Sequence, residues 1–211
     1  MKLPKPQLSR IPGLARGLRP RVAVSAAPGA PDYLGTPRTH SVQVDRFAWN
    51  VDTVREDTDL KVINRDAVGD LLCWYDVNGI HEPDRVVELG QTFHLHTLSV
   101  EDILNTRSRA KVETYDDYVY LVLKMACLRT ENGQTFPRYE QVSVILGDTF
   151  VLTFQDYDED VFDEVRKRLR TSGTRFRRRS VDYAAYALVD AVVDNYVLVL
   201  EELSRRVDHF E

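Results

Sequence analysis

Two periods of hydrophobic and polar residues succeed one another along the chain from about residue 40 onward. Segments 40–49 and 71–77 show strand-like alternation or short apolar runs, whereas 84–93 and 98–105 space their apolar residues as amphipathic helices do. Segment 118–128 is dense in β-branched and aromatic residues, as a strand buried on both faces would be, and we expect it near the centre of its sheet. This order predicts an α/β fold.

The pattern continues with a hairpin and a helix. The apolar runs 140–146 and 149–155 are joined through Gly147 and Asp148, and glycine at the first central position suits a type II′ turn. Segment 159–170 then reads as an amphipathic helix with acids in its first turn and bases in its last, as the helix dipole favours.

A long helix is expected at the end of the chain. Residues 181–211 contain neither Gly nor Pro, and Ser180 is the expected N-cap. At 1.5 Å per residue this helix is about 46 Å long, longer than the domain beneath it. Its mostly apolar sequence predicts that it packs on most of its sides. We therefore expect a flexible basic, Pro-rich tail at 1–38, a folded α/β domain at 39–180 and this helix at 181–211.

Charge is distributed unevenly along the chain. The net charge is -5, but residues 1–31 carry six basic residues and no acid, which leaves 22 bases against 33 acids and a net charge of -11. This balance argues against nucleic-acid binding and mildly favours cation binding. Charge-free stretches fall short of the ~20 apolar residues that span a bilayer, so no membrane crossing is expected. Cys73 and Cys127 stand far apart, which predicts reduced thiols rather than a disulfide or a zinc knuckle.

The histidines of "HLHTLSVEDILN" are candidate metal ligands. On a strand, His94 and His96 would share one face, and Glu101 or Asp102 could add a third ligand for zinc. An H-x-H pair without H-E-x-x-H or a cysteine partner is more often incidental, and His96 is expected to pack and bond to backbone.

Two carboxylate pairs are further candidates. Glu101 and Asp102 are adjacent, so on a helix they point about 100° apart and cannot chelate one ion together; a solvated helix face is the ordinary alternative. Asp190 and Asp194 stand at i and i+4 among apolar residues, where like charges are unfavourable unless compensated. Arginine partners or a divalent ion with oxygen ligands, such as Mg²⁺, are both open explanations.

Other chemistry is less well supported. The basic run 166–179 lies beside several acids, which predicts a solvated, internally paired helical hairpin rather than a phosphate or nucleic-acid site. Gly-rich phosphate loops, G-x-S-x-G and Cys/His pairs are absent from the sequence, so the chain is not expected to be an enzyme.

From about Trp74 to its end, the chain resembles the cytoplasmic N-terminal domain of the CorA family of magnesium channels. The resemblance is carried by "WYDVNGIHEPD", "HTLSVEDILNTRSRAKVETYDDYVYLVLKM", "EQVSVIL", "DVFDEVRKRLR" and "DYAAYALVDAVVDNY", in the family's order and separation. It implies an αβα domain, a mixed β-sheet between helical layers, at 39–180. It also implies that 181–211 is the first part of a stalk helix, with two transmembrane helices and a Gly-Met-Asn signature expected beyond Glu211.

The resemblance also implies a mechanism. Family members assemble as homopentamers at the inner membrane, and Mg²⁺ bound between neighbouring cytoplasmic domains holds the closed state. Glu101 and Asp102 match acids of that interface, and Asp190 and Asp194 match carboxylates on the helix that leads into the stalk. The expected function is a Mg²⁺-sensing regulatory domain. The alternatives are a transporter of zinc or another divalent metal in the same superfamily and, from another class, a soluble zinc hydrolase.

Overall fold

The computed structural model describes most of the chain beyond the N-terminal tail. The described residues are 32–35, 41–131, 133–157, 160–171 and 173–208. The tail predicted at 1–38 lies outside them except for 32–35.

The described residues form seven strands and four α-helices. The strands are β1 (Gln43–Trp49), β2 (Val54–Asp57), β3 (Leu72–Asn78), β4 (Lys111–Thr114), β5 (Val119–Glu131), β6 (Gln134–Leu146) and β7 (Phe150–Gln155). The helices are α1 (Pro83–Thr92), α2 (Thr97–Leu104), α3 (Asp163–Arg170) and α4 (Val181–Asp208). The predicted α/β order is confirmed.

All seven strands form one mixed sheet in the order β2-β1-β3-β7-β6-β5-β4. β3 and β7 are parallel, and every other neighbouring pair is antiparallel. β7 takes the centre, and all six of its residues are buried. The expectation that 118–128 is central is wrong, because β5 lies next to the edge strand β4. Its apolar composition reflects helices packed on its face rather than a central position.

Helices cover both faces of the sheet, which confirms the αβα architecture. The pleat sends Trp74 and Tyr75 of β3 to opposite sides. Tyr75 packs edge-on against Phe93 after α1, with ring centroids 4.9 Å apart, and Trp74 packs edge-on against Phe162 before α3, at 5.9 Å. One hydrophobic core therefore lies under α1 and α2 and a second lies under α3 and α4.

Two strands were not expected from the sequence. β2 and β4 have four residues each and lie at the two edges of the sheet. Their sequences, VRED and KVET, carry charges because only one side of each strand is paired and their faces are half open to solvent. Such short polar edge strands give no clear period of two.

The β6–β7 hairpin turns one residue later than expected. The Gly147 amide donates to the Phe150 carbonyl at 2.9 Å, so Asp148 and Thr149 are the central residues. Neither they nor Gly147 has a positive φ, and the predicted type II′ turn is wrong. Gly147 is needed for another reason, since a Cβ at this position would lie 2.4 Å from the Phe150 ring.

α4 packs on the sheet with one face only. Its side chains reach β5 through Tyr196, which bonds to the carbonyl of Lys124, and Asn195, which bonds to that of Ala126. The expectation that it packs on most sides is wrong, because a second apolar stripe is exposed. That stripe comprises Tyr186, Val193, Val197, Leu198, Leu200 and Val207, each more than half exposed.

Among the described residues, α4 is the one helix that could cross a membrane by length and composition alone. The expectation that the chain crosses no membrane stays a prediction, because a helix that packs on a sheet can have the same length and composition. Of the most apolar stretch of α4, 33% is buried inside the protein, as in a helix that packs on a sheet.

Candidate functional site

Helix α2 begins at the histidine pair. His96 is the N-cap, and its Nδ1 accepts a hydrogen bond from the Leu98 amide at 3.2 Å. Its ring stacks on Tyr115 with centroids 5.6 Å apart, while its surface remains exposed. The backbone bond was predicted correctly, but the side chain is not packed in the core. His94 lies in the α1–α2 loop with φ 54°, so the two histidines do not share a strand face.

Asp102 points from α2 toward strand β4. Its carboxylate accepts from Lys111 Nζ at 2.6 Å and from Ser108 Oγ at 3.1 Å, and its side chain is 26% exposed. Lys111 also binds Glu113 at 2.7 Å. Burial disfavours the charged lysine, but the bonds to the two carboxylates outweigh it and raise the pKa of Lys111. Asp102 is therefore already ion-paired with Lys111, and a metal ion that binds Asp102 would have to compete with this lysine.

Glu101 points the other way, toward helix α1. It is half-buried and lines a pocket of about 210 Å³ together with Val87, Gln91 and Leu95. Glu101 forms no ion pair with another described residue. The predicted divergence of the two adjacent acids is therefore seen in their contacts.

Asp190 and Asp194 lie on the opposite face of the sheet, on α4. Both line a groove of about 520 Å³ between α4 and the start of α3. Asp190 is half-buried and accepts from Tyr186 Oη at 3.3 Å, whereas Asp194 is exposed. The charge of Asp190 raises the pKa of the Tyr186 hydroxyl. No described arginine forms an ion pair with Asp190 or Asp194, although Arg168 lines the same groove.

The two acid pairs do not form one site within a chain. α2 covers one face of the sheet and α4 the other, and the described residues hold no group of three or more His, Cys, Asp or Glu arranged around a common metal position. His94 and His96 likewise have no third potential metal ligand beside them among the described residues. What the arrangement offers is two separate, partly hydrated carboxylate surfaces.

A buried ionic network that was not predicted from the sequence joins β3 to α3. Asp76 is fully buried at the end of β3, accepts from Thr153 Oγ1 at 2.7 Å and pairs with Arg166, which also holds Asp160. Burial and the charge of Asp160 raise the pKa of Asp76 to about 6, against the opposing charge of Arg166. The sequence does contain a sign of this buried acid, since Asp76 stands inside the apolar run LLCWYDV.

Glu140 on β6 is the most isolated of the buried acids. It is 6% exposed, and neither carboxylate oxygen accepts a hydrogen bond of good geometry from a described group. Burial raises its pKa to about 8; the charge of Arg138 opposes this shift, whereas those of Asp156 and Asp160 add to it. Glu140 is the first residue of "EQVSVIL". Residues two apart on a strand share a face, so Glu140 lies on the same face as Val142 and Val144, which belong to the core under α3 and α4.

Comparison with known proteins decides the family. Residues 69–211 match the family model described as "CorA-like Mg2+ transporter protein". The chain belongs to the CorA family. The cobalt/magnesium transport protein CorA of Thermotoga maritima is 36% identical to it over 186 residues, which cover 87% of this chain and 52% of that protein. The putative metal ion transporter YfjQ of Bacillus subtilis is 28% identical over 138 residues, 65% of this chain and 41% of that protein. The chain thus spans about half the length of these CorA relatives.

Solved structures show the same fold. The soluble domain of CorA from Methanocaldococcus jannaschii superposes with a TM-score of 0.61 at 12% identity, covering 79% of this chain and 62% of that one. The cytoplasmic domain of ZntB from Vibrio parahaemolyticus gives a TM-score of 0.60 at 14% identity, with 82% and 66% covered. The mixed sheet and its two helical layers are therefore the CorA soluble-domain fold.

Proposed function

We propose that this chain is the cytoplasmic, divalent-cation-sensing domain of a CorA-type ion channel and that it performs no enzymatic reaction. In this proposal the complete protein is a homopentamer in the inner membrane, with this domain on the cytoplasmic side and α4 as the first part of a stalk. Mg²⁺ is the regulatory ion, held at subunit interfaces by Glu101, Asp102, Asp190 and Asp194.

The uncompensated pair on α4 carries the proposal. Asp190 and Asp194 are one helical turn apart in a groove, and neither is ion-paired with a described base. Carboxylate oxygens at a partly exposed surface are the donor set that Mg²⁺ accepts, because it retains several waters and needs only one or two direct ligands. Since α2 lies on the far side of the sheet, Glu101 and Asp102 of the same chain cannot complete that donor set.

Regulation follows from charge. Carboxylates on facing subunits repel when bare, and at an effective dielectric constant near 20 two such charges 4 Å apart interact by about 4 kcal/mol. A bound divalent cation supplies the positive charge that turns this repulsion into attraction. Asp190 and Asp194 would then favour the closed assembly at high ion concentration and loosen it at low concentration, a population shift driven by differential binding.

Calorimetry and sedimentation on the chain test the proposal. Titration with Mg²⁺ at high protein concentration is expected to show binding and a shift toward larger species, and Asp190→Asn with Asp194→Asn should abolish both. Asp148→Asn, an exposed turn residue, is the matched control and should bind as the parent does. Binding that survives the double substitution would refute the assignment of these residues.

The identity of the ion needs a separate assay. The Thermotoga relative is named a cobalt/magnesium transport protein, so Co²⁺ is the first competitor to test against Mg²⁺. Transport and inhibition assays on the complete protein, with Mg²⁺, Co²⁺ and Zn²⁺ in competition, distinguish a magnesium channel from a transporter of another divalent metal. Elemental analysis of the purified chain tests the hydrolase alternative, which requires stoichiometric zinc.

A further inference from the structure

The groove between α3 and α4 has the surface of a docking site for a basic, apolar segment. Its floor is apolar and its rim is acidic. The apolar lining includes Val161, Val165, Ala187, Ala191 and Leu198, and the acids are Asp160, Asp163, Glu164, Asp190 and Asp194. Arg168 is the one base among the described lining residues.

Most of the rim charge is available to a partner. Asp163 and Glu164 are 95% and 68% exposed, and among the described residues each is ion-paired only with a base of its own helix, Arg166 at 3.0 Å and Lys167 at 3.1 Å. Pairs of this kind contribute at most about 1 kcal/mol and exchange readily. Leu198 is 55% exposed at the end of the groove, so a partner would also bury apolar surface.

The chain itself contains a segment of complementary composition. Residues 1–31 carry six basic side chains and no acid, and the bases alternate with Leu and Ile in "KLPKPQLSRIPGLARGLRPRV". The rest of the chain is acidic, so this segment experiences attraction toward the folded domain as a whole. The acidic, apolar-floored groove is where both of its features can be satisfied.

The chain enters the fold beside the loop from β7 to α3, on the side of the sheet that α1 and α2 cover, where the Leu34 amide donates to the Leu104 carbonyl at 3.2 Å. Tyr33 Oη donates to Asp156 Oδ1 at 2.6 Å, which fixes the chain at the loop that leads from β7 to α3. Gln155, the next residue along β7, donates to Asp160 at 2.9 Å, and Asp160 lines the groove. A tether of about 10 residues with random-coil dimensions has an r.m.s. span of roughly 16–19 Å and an effective concentration of the order of mM, and it must carry the segment round the end of the sheet to the groove.

We propose that residues 2–21 dock into the α3–α4 groove of the same chain. Their Lys and Arg side chains face Asp163, Glu164, Asp190 and Asp194, and their Leu and Ile side chains cover the apolar floor. The docking needs no metal ion and so does not rest on the proposed function. Where both hold, the segment is an internal competitor for the carboxylates that would bind Mg²⁺.

Zero-length cross-linking with a carbodiimide in EDTA tests the docking directly. The reagent joins lysine amines to carboxylates in contact, and Lys2 and Lys5 are the lysines of the segment. Cross-links from these lysines are expected to concentrate on the four rim acids and to fall at least tenfold at about 1 M salt, where the Debye length is about 3 Å. Cross-links spread over remote exposed acids such as Glu88 would overturn the proposal.

Matched variants and isotope mixing complete the test. Asp190→Asn with Asp194→Asn removes half of the rim charge and should therefore also lower the cross-links at Asp163 and Glu164, while Asp84→Asn with Asp148→Asn should leave those cross-links unchanged. Equal amounts of ¹⁴N and ¹⁵N chains are expected to give cross-linked peptides of a single isotope. Mixed-isotope pairs would overturn docking within one chain in favour of docking between copies.

A second readout does not depend on lysine. Arg10→Glu combined with Arg16→Glu should release the segment, so amide exchange in residues 187–198 should become several-fold faster, and the urea midpoint should fall slightly because docking stabilises the folded state. Equal exchange in parent and variant would overturn the proposal. Because EDTA is present throughout, either failure leaves the ion-binding proposal untouched.

Discussion

Replacing Glu140 by glutamine should make the protein more stable in mild alkali and leave it almost unchanged in mild acid. The Glu140 carboxyl group is 6% exposed, its oxygens lack well-formed hydrogen bonds among the described groups, and burial raises its pKa to about 8. In the unfolded chain the same group has a pKa of about 4.3. Glutamine has the same shape and cannot ionise.

The magnitude follows from linkage between proton binding and folding. Between pH about 4.5 and 8 the folded protein holds the Glu140 proton while the unfolded chain has lost it, so the free energy of unfolding falls as pH rises through this window. Each pKa unit corresponds to about 1.4 kcal/mol, so the full cost approaches about 5 kcal/mol above pH 8. Below pH 4.5 both states are protonated and the cost is absent.

Urea unfolding followed by tryptophan fluorescence measures this difference. Trp49 and Trp74 are fully buried and report on the core. The stability gained by Glu140→Gln is expected to be within about 1 kcal/mol of zero at pH 4.5 and to reach about 2 to 5 kcal/mol at pH 8.5. Glu88→Gln, at an exposed position, serves as the control. Parallel stability curves for parent and variant across this range would refute the assignment of a buried carboxyl whose pKa is raised chiefly by burial.

Two further substitutions test the packing and the ionic network. A methyl group at Gly90 would lie 2.6 Å from Val100 Cγ2, so Gly90→Ala should cost about 1–3 kcal/mol in urea unfolding, and Val100→Ala should recover part of that loss in the double variant. No recovery would show that the strain lies elsewhere. Arg166→Leu leaves Asp76 buried without its cation and should cost about 3–5 kcal/mol at pH 7.5. The loss should shrink at pH 5 as Asp76 takes up a proton, and a pH-independent loss would contradict the network.

The sheet and its helices could be predicted where burial imposes a period, and the prediction fails where it does not. β3 and β7 read as apolar runs because helices cover both faces of the centre of the sheet. β2 and β4 are edge strands with charged residues, so their pattern does not differ from that of a loop. The position of β5 was misjudged because a strand one place from the edge is as apolar as a central one when helix α4 crosses it.

The acidic residues of the candidate sites differ in how clearly the sequence marks them. Asp190 and Asp194 were identified because like charges one turn apart in an apolar helix are costly without compensation. Glu101 and Asp102 came from family resemblance, since their spacing equally suits a solvated helix face. Asp76 and Glu140 escaped notice because each is a single polar residue within a strand, and its partners come from segments distant in sequence.

The position of Asp160 links the buried network to the proposed ion surface. Its carboxylate is 2% exposed and is held by Arg166, and the residue lines the same groove as Asp190. Arg166 is also the helix α3 partner of Asp163 at the groove rim, so one guanidinium balances buried and exposed carboxylates together. Asp163 is 95% exposed, so a cation or basic segment that binds it at the rim meets only the outermost carboxylate of this network, while Asp76 and Asp160 keep their ion pairs with Arg166.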